Sequence, residues 1–241
     1  MMALTRPGAR SQVYAFLALG FGDPDRVPIA LLKREGKRLA DSLAMLGETK
    51  SLAVARALRP LLAAMTQRGF QAAHVACFGH TISKECPPYD TEYGAAHIFQ
   101  KTQTLADIAG FYRAFGLQTA PNLCERLDHV SVEVEFMRFL CLKELYALEQ
   151  GHSAERLVQC REAQAKFLGE HLGRWAPGFA RRLRDLAGEG YYAHMGELTD
   201  AFLNGELAAL GIEHTDGAAL RSSIPSEEAP DTCGACEVVR R

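Results

Sequence analysis

The segment CPPYDTEYG (residues 86–94), followed by QTLADIAGFYRAFGL (103–117) and ERLDHVSVEVEFMRFLCLKE (125–144), decides the fold. The last two pieces carry apolar side chains at intervals of three and four, which is typical of helices with one buried face. The double proline at 87–88 requires extended backbone before them, and Pro121 interrupts any helix between them. The sequence therefore predicts two long helices separated by a polar break, with aromatic and acidic side chains on both sides of it.

Local signals predict where these helices begin and end. The first is expected to start near Thr91 and to end at Phe115, because a glycine follows that can adopt the positive φ of a helix C-terminus. The second is expected to begin after Asp128, whose carboxylate is of the kind that caps a helix. Further along, Pro177 is expected to break a helix that starts at Ala154.

Helical periodicity dominates the rest of the chain, and the alternating runs typical of strands are almost absent. We therefore expect an all-α protein, a globular bundle of roughly nine to ten helices in one domain over residues 1–211. The break at 117–127 divides this domain into two helical halves, about 10–116 and 128–211. Residues 212–241 are rich in Ser, Pro and Glu and are predicted to form a disordered tail.

Composition excludes several function classes. The 241 residues include 27 basic and 29 acidic side chains with the signs interspersed, so no basic stripe for a nucleic-acid partner is present. The seven cysteines lie mostly in apolar or helical stretches, which favours reduced thiols in a cytoplasm. The apolar run from Val13 to Phe21 follows Arg6 and Arg10, so a secretory signal is an alternative there, although helical spacing favours a core helix. No other stretch is long enough to span a bilayer, and we expect no membrane insertion.

Motifs for catalysis or cofactor binding are weak. The chain contains no GxxxxGK[ST] and no GxGxxG sequence, so nucleotide binding has no support. A Glu-x-x-His spacing occurs only at Glu149–His152, where Gly151 disrupts the helix that would aim metal ligands. Cys233 and Cys236 have the spacing of half a zinc site or of a redox dithiol. A metal-binding or redox-sensing helical protein is therefore an alternative function.

One group of ionisable side chains stands out at the predicted start of the second long helix. His129 follows Asp128 and lies close in sequence to Glu125, so a basic ligand could be received there. A capping aspartate beside a packed histidine explains the same spacing equally well. From the residues alone, both interpretations stay open.

The motifs PPYDTEYG (87–94) and ERLDHVSVEVEFMRFLCLKE (125–144), separated by LADIAGFYRAFGL (105–117), resemble the TorD/DmsD/NarJ family of cytoplasmic chaperones that assemble molybdenum oxidoreductases. The segment EHLGRWAPGFARRL (170–183) is similar to the C-terminal half of that family. Within the family, LADIAGFYRAFGL is most similar to members that serve the ethylbenzene dehydrogenase, dimethylsulfide dehydrogenase, selenate reductase and chlorate reductase group. Leu127 departs from the pattern, since many members carry a proline there.

The resemblance implies a cytoplasmic, all-helical chaperone without catalytic activity and without a cofactor of its own. Such a protein binds the N-terminal segment of a molybdopterin-containing catalytic subunit, often a twin-arginine signal. It holds the apoenzyme until the cofactor is inserted, before assembly or twin-arginine export. The linker 117–127 would then act as a hinge, and the protein would be a monomer or a dimer that exchanges helices across that hinge.

The same resemblance implies a peptide-binding site. An apolar peptide helix would lie against aromatic side chains, and carboxylates would bind its arginine-bearing end through charge-assisted hydrogen bonds. The expected site residues are a wall of Tyr89, Asp90 and Tyr93, a floor of Tyr112 and Phe115, and an acidic mouth of Glu125, Asp128 and His129.

Overall fold

The computed structural model describes residues 4–79, 85–94, 98–117 and 125–213, and within these ranges the chain forms helices and no strand. The helices are α1 (Arg6–Phe21), α2 (Ile29–Leu46), α3 (Thr49–Ala64), α4 (Gln67–Phe78), α5 (Ile98–Ala114), α6 (Val130–Glu149), α7 (Ala154–Phe167), α8 (Gly173–Ala187) and α9 (Tyr191–Ala209). A 3₁₀ turn spans Asp90–Glu92 and a π-helical turn spans Leu168–Leu172. The predicted all-α class is confirmed.

The predicted hinge and tail fall largely outside this description. Residues 118–124 of the hinge and 214–241 of the tail, with Cys233 and Cys236, lie outside the described residues. The hinge, the two halves and the count of nine to ten helices for the whole chain therefore stay predictions.

α1 is the central helix of the bundle. It packs against α2 and α6, and its side chains Val13, Phe16 and Leu17 are completely buried. Tyr14 packs edge-on against Phe202 of α9, with 5.1 Å between ring centroids. α9 in turn packs against α3 and α8. Helices from both predicted halves thus contribute to one core, and the apolar run 13–21 belongs to its central helix.

A buried polar network fixes α1 relative to α6, α7 and α9. Arg10 donates to both carboxylate oxygens of Glu206, at 2.6 and 2.8 Å, and to the side-chain oxygen of Gln164. Gln164 donates to Glu144 at 2.9 Å, and the Tyr14 hydroxyl donates to Glu206 at 2.9 Å. Buried polar groups are costly unless they are hydrogen-bonded, so this network favours one relative placement of the four helices.

The helix predicted to start near Thr91 begins later. Asp90–Glu92 is a separate 3₁₀ turn, Tyr93 is extended, and α5 starts at Ile98. Gly94 has a φ of 87°, a left-handed conformation that cannot continue an α-helix and that glycine adopts without strain. The early start was therefore wrong, because the left-handed conformation of this glycine separates the 3₁₀ turn from α5.

Pro177 also does not break the helix as predicted. α7 passes through the π-helical turn at Leu168–Leu172 and continues directly into α8, which contains Pro177 in its second turn. Proline lacks an amide hydrogen and crowds the carbonyl four residues earlier, here that of Gly173. Because Gly173 follows the wider π-helical turn, the proline is accommodated at the start of α8 without ending the helix.

Candidate functional site

The loop 86–94 is joined to the start of α6 by an isolated antiparallel bridge between Tyr89 and His129. The amide of Asp90 donates to the carbonyl of Asp128, and the amide of Val130 donates to the carbonyl of Pro88, both at 2.9 Å. The extended backbone that the double proline imposes makes this pairing available. The bridge brings together two of the three sequence segments that were expected to form the site.

His129, and not Asp128, caps α6. Its Nδ1 accepts a hydrogen bond from the Ser131 amide at 3.2 Å, and α6 begins at Val130. Asp128 lies one residue too early to cap and is completely buried, with its carboxylate directed away from the helix axis to Thr91. The amide and hydroxyl of Thr91 donate to Asp128 Oδ2 at 3.2 and 2.8 Å. The predicted capping role of Asp128 was therefore wrong, because the carboxylate is engaged in holding the loop.

Arg126 neutralises this buried carboxylate. Its Nε donates to Asp128 Oδ1 at 3.0 Å and its Nη2 donates to Asp128 Oδ2 at 2.8 Å. The same Nη2 contacts the Thr91 hydroxyl at 2.6 Å, and the guanidinium lies 4.4 Å from the ring centroid of Tyr89. Sequence reasoning did not single out Arg126, although its position two residues before Asp128 is a signal that could have identified it. Asp128 is consequently a paired structural carboxylate.

His129 is packed and uncharged at neutral pH. Its ring lies 5.1 Å from that of Tyr89 in a T-shaped arrangement, and Nδ1 also contacts the Ser131 hydroxyl at 2.7 Å. Burial, together with the nearby positive charges of His74 and Arg126, lowers the pKa of His129 to about 3. Because Nδ1 accepts from a backbone amide, the neutral ring carries its hydrogen on Nε2.

Glu125 and Tyr89 form the accessible part of the acidic mouth. The Glu125 side chain is 30% exposed, and one carboxylate oxygen lies 4.0 Å from His129 Nε2. Burial, and then the negative charge of Asp23 in the loop between α1 and α2, raises the pKa of Glu125, while Arg26 opposes the shift. Tyr89 is half-buried beside it. A ligand at the mouth would therefore meet these two side chains first, beside the partly exposed guanidinium of Arg126.

Tyr93 is directed into the core, away from the mouth. Its hydroxyl donates to the carbonyl of Pro87 at 2.9 Å, and its ring lies 5.2 Å from that of Trp175 on α8. Burial raises the pKa of Tyr93, so the phenol stays neutral. Tyr93 therefore does not face the mouth as part of the expected wall. It packs between the loop and α8.

Tyr112 and Phe115, the expected floor, attach α5 to α6. The Tyr112 hydroxyl donates to the carbonyl of Leu127 at 3.0 Å, and its ring lies 4.7 Å from that of Phe136. Phe115 contacts Phe136 and Phe139 with centroid distances of 5.8 and 6.2 Å. Tyr112 therefore supports the segment before Asp128. Phe115 instead packs against the aromatic side chains of α6, Phe136 and Phe139.

Asp90 faces a set of side chains that sequence reasoning did not identify. Its Oδ2 lies 3.7 Å from Nδ1 of His171 in the π-helical turn. Glu133 on α6 accepts a hydrogen bond from Trp175 Nε1 at 3.1 Å and is completely buried. Burial, followed by the negative charge of Asp90, raises the pKa of Glu133 well above its usual range. The only available sequence signals were the single tryptophan and the position of Glu133 one turn after His129.

A groove of about 650 Å³ runs between α5 and the π-helical turn, and His171 is one of its lining residues. Its walls include Asp107, Gly110 and Phe111 on one side, and Lys166, His171 and Arg174 on the other. Phe111 and His171 are in ring contact at 5.2 Å. Both rings line the groove.

The described part of the chain offers neither a metal-binding cluster nor a membrane-spanning helix. Over 4–79, 85–94, 98–117 and 125–213, no group of three His, Cys, Asp or Glu side chains is arranged to hold a metal ion. Over the same ranges, no helix combines the length and apolar character that crossing a membrane would require.

Comparison with known proteins supplies independent information. The family model described as "Nitrate reductase delta subunit" matches residues 48–181. The selenate reductase assembly chaperone protein of Thauera selenatis is 38% identical over 99 residues, which cover 40% of this chain and 50% of that protein. The chlorate reductase assembly chaperone protein of Ideonella dechloratans is 34% identical over 107 residues, covering 44% and 53%. The perchlorate reductase assembly chaperone protein of Dechloromonas aromatica is 26% identical over 213 residues, covering 85% and 91%. The matched region thus spans about half the length of the first two relatives and most of the third.

Proposed function

Because the chain belongs to the nitrate reductase delta subunit family, the TorD/DmsD/NarJ family of chaperones, we propose that it is an assembly chaperone for a molybdenum oxidoreductase. Its client would be the catalytic subunit of an oxyanion reductase, since the relatives compared above are named for selenate, chlorate and perchlorate reductases. The protein would bind the N-terminal segment of that subunit in the cytoplasm and hold it for cofactor insertion, with no catalysis of its own. These names favour the chaperone over a metal or redox sensor that uses Cys233 and Cys236.

The observation that carries this proposal is the bridge between Tyr89 and His129. It holds an aromatic ring and the Glu125 carboxylate at one edge of the bundle, next to the loop between α1 and α2. A receptor for a leader segment needs an apolar contact surface beside a negative charge. The half-buried Tyr89 ring and the partly exposed Glu125 carboxylate supply these two components.

The affinity of such a receptor should be moderate. A disordered leader loses conformational freedom when it is bound, and this cost offsets much of the contact energy. A chaperone must also release its client. We expect dissociation constants on the order of micromolar or somewhat lower.

Isothermal titration calorimetry tests the proposal directly. Synthetic leader peptides from the catalytic subunits of selenate, chlorate and perchlorate reductases are titrated into the full-length chain, and at least one should bind with one-to-one stoichiometry. Tyr89→Ala and Glu125→Gln should each weaken that binding. The matched control is Tyr146→Ala, which removes an exposed tyrosine on α6 outside the mouth. If no leader peptide produces a binding isotherm, the proposed function is wrong.

A further inference from the structure

Two polar side chains behind the loop lack the hydrogen-bond partners that their burial requires, and the partly exposed Asp90 lies beside one of them. Nδ1 of His171 and Oε1 of Glu133 are buried without a hydrogen-bond partner among the described residues. His171 is 5% exposed and Glu133 is 0% exposed. Asp90 Oδ2, at 3.7 Å from His171 Nδ1, is too far away for a hydrogen bond to that nitrogen. Buried polar atoms are nearly always paired, so this cluster is built for a group that is not part of the chain's own core.

The neighbouring carboxylates differ from this cluster because each already has a cation. Asp128 is paired with Arg126 at 2.8 Å, and Glu92 is paired with Lys101 at 3.0 Å. Among the described residues, Asp90 and Glu133 have no arginine or lysine partner: Asp90 lies 3.7 Å from His171, and Glu133 accepts from Trp175. The carboxyl groups of this region without an arginine or lysine partner therefore lie between the loop, α6 and the π-helical turn.

We infer that Asp90, Glu133 and His171 form the site that receives a cationic side chain, a guanidinium or an ammonium, of the client's N-terminal segment. This inference rests on the proposed function and makes it more specific. A guanidinium carries five N–H donors and no acceptor, which matches two carboxyl groups and an unpaired imidazole nitrogen. Asp128, which the sequence favoured as the carboxylate that binds the cation, already forms an ion pair with Arg126.

The groove between α5 and the π-helical turn supplies a route to this site. His171 lines the groove and also reaches Asp90, so the cluster lies directly behind the groove wall. The wall at this point consists of the Phe111 and His171 rings, and rotation of these two side chains would admit a long, slender cation. π-helical turns occur frequently at functional sites, and this one places His171 at the point of access.

Binding of a cation should displace a proton from Glu133. The groups that face Glu133 are Asp90 from the loop, Asp128 before α6, Tyr112 from α5 and Trp175 from α8. In the free protein, burial and the charge of Asp90 raise the pKa of this carboxyl well above its usual range, which favours its protonated form. An adjacent guanidinium lowers the pKa again, so the proton leaves to the buffer and the carboxylate that remains accepts hydrogen bonds from the ligand.

Trp175, the single tryptophan of the chain, reports on this site because its indole N–H donates to Glu133. The probe is N-acetyl-arginine amide, and N-acetyl-citrulline amide is its uncharged analogue of the same shape. We expect arginine amide to shift the indole N–H resonance of the full-length chain saturably, and citrulline amide to leave it unchanged. Asp90→Asn should weaken the arginine response about tenfold or more. Asp185→Asn, which removes an exposed carboxylate on α8 outside the groove, should not.

The same variants are then titrated with leader peptides that carry either their arginines or glutamine in their place. The arginine peptides should release protons, measured as a dependence of the binding heat on the buffer's ionisation enthalpy, and Glu133→Gln should abolish that release. Equal responses to arginine amide and citrulline amide, or no response to either, would overturn the inference whatever the peptides do. A specific arginine response without binding of any leader peptide would support the site and reject the proposed client instead.

Discussion

Replacing Arg126 with methionine should destabilise the protein more than removing the charge of its buried partner Asp128. The two ends of this ion pair lie in different surroundings, since the Arg126 side chain is 36% exposed and the Asp128 side chain is 0% exposed. Without Arg126, a carboxylate stays buried with only the two donors of Thr91. Breaking a buried pair in this way costs about 3–5 kcal/mol. Without the Asp128 charge, the guanidinium can turn toward water.

Removing the Asp128 charge should lower the free energy of unfolding by less than removing Arg126. Asp128→Asn keeps a side-chain oxygen that can accept from Thr91 and loses the charge-assisted component, for which we expect about 1–3 kcal/mol. The double variant Arg126→Met with Asp128→Asn should then be more stable than Arg126→Met alone, because it no longer buries an unpaired charge. Arg126→Met by itself should lower the melting temperature by roughly 6–20 °C for a chain of this size.

Equilibrium urea unfolding at pH 7, followed by circular dichroism at 222 nm, measures these differences. The matched control is Arg138→Met on α6. Arg138 is 39% exposed, much like Arg126, but its partner Glu135 is 50% exposed. The control should lose no more than about 1 kcal/mol, as expected for a surface pair. If Arg126→Met and Arg138→Met lose equal amounts, or if the double variant is no more stable than Arg126→Met, the reasoning from buried charge is refuted.

Three further predictions concern stability. The folded pKa of His129, about 3, lies below its unfolded value, so stability should be lost as pH falls from 6.5 toward 3, by up to about 1.4 kcal/mol per pH unit. His129→Asn, which can still cap α6, should reduce this slope in urea melts at pH 7 and 5, and an unchanged slope would contradict the assignment. The folded pKa of Glu133 is raised, so its contribution is present below pH 4.5 and lost as pH rises. Glu133→Gln should therefore raise the urea midpoint at pH 8 with little gain at pH 4, and equal gains at both would count against it. Gly196→Ala should lower the melting temperature by the equivalent of about 1–3 kcal/mol, because its new Cβ would collide with the Ala180 carbonyl on α8. The added Cβ of Gly110→Ala meets no atom within 4 Å, so this variant should stabilise α5 by about 0.5–1 kcal/mol. A lower melting temperature for Gly110→Ala than for Gly196→Ala would be inconsistent with the packing.

The helices were largely predictable from sequence because their signals are local. Apolar residues at intervals of three and four predicted the paired helices on both sides of the break, and the glycine after Phe115 marked the end of α5 to within one residue. The start of α5 was placed too early, because the sequence alone does not show which glycine adopts a left-handed conformation, as Gly94 does with a φ of 87°. Pro177 misled for a similar reason, since the π-helical turn before it is a property of the packed chain.

The sequence predicted which segments lie near the site, but not which of their side chains contact one another. The family resemblance pointed to Tyr89 and His129, which lie forty residues apart in sequence and pair directly in the structure. It did not reveal that Arg126 forms an ion pair with Asp128. It also did not reveal that Asp90 faces His171, which lies more than eighty residues later in the chain. Such pairings depend on which side chains meet after the helices pack, and no local pattern encodes them.

The division between paired and unpaired carboxylates changes how variants of this site should be interpreted. A substitution at Asp128 disturbs the two hydrogen bonds from Thr91 that hold the loop to the start of α6 and the two from Arg126, so it displaces Tyr89 and Asp90 whether or not Asp128 touches a ligand. Loss of client binding in such a variant is therefore no evidence for direct contact. A substitution at Asp90 removes no hydrogen bond from the described chain, and any loss of binding there is attributable to the ligand if the unfolding midpoint is unchanged. The unpaired carboxylate is thus the informative position for identifying what the protein binds, because it can be altered without altering the frame that surrounds it.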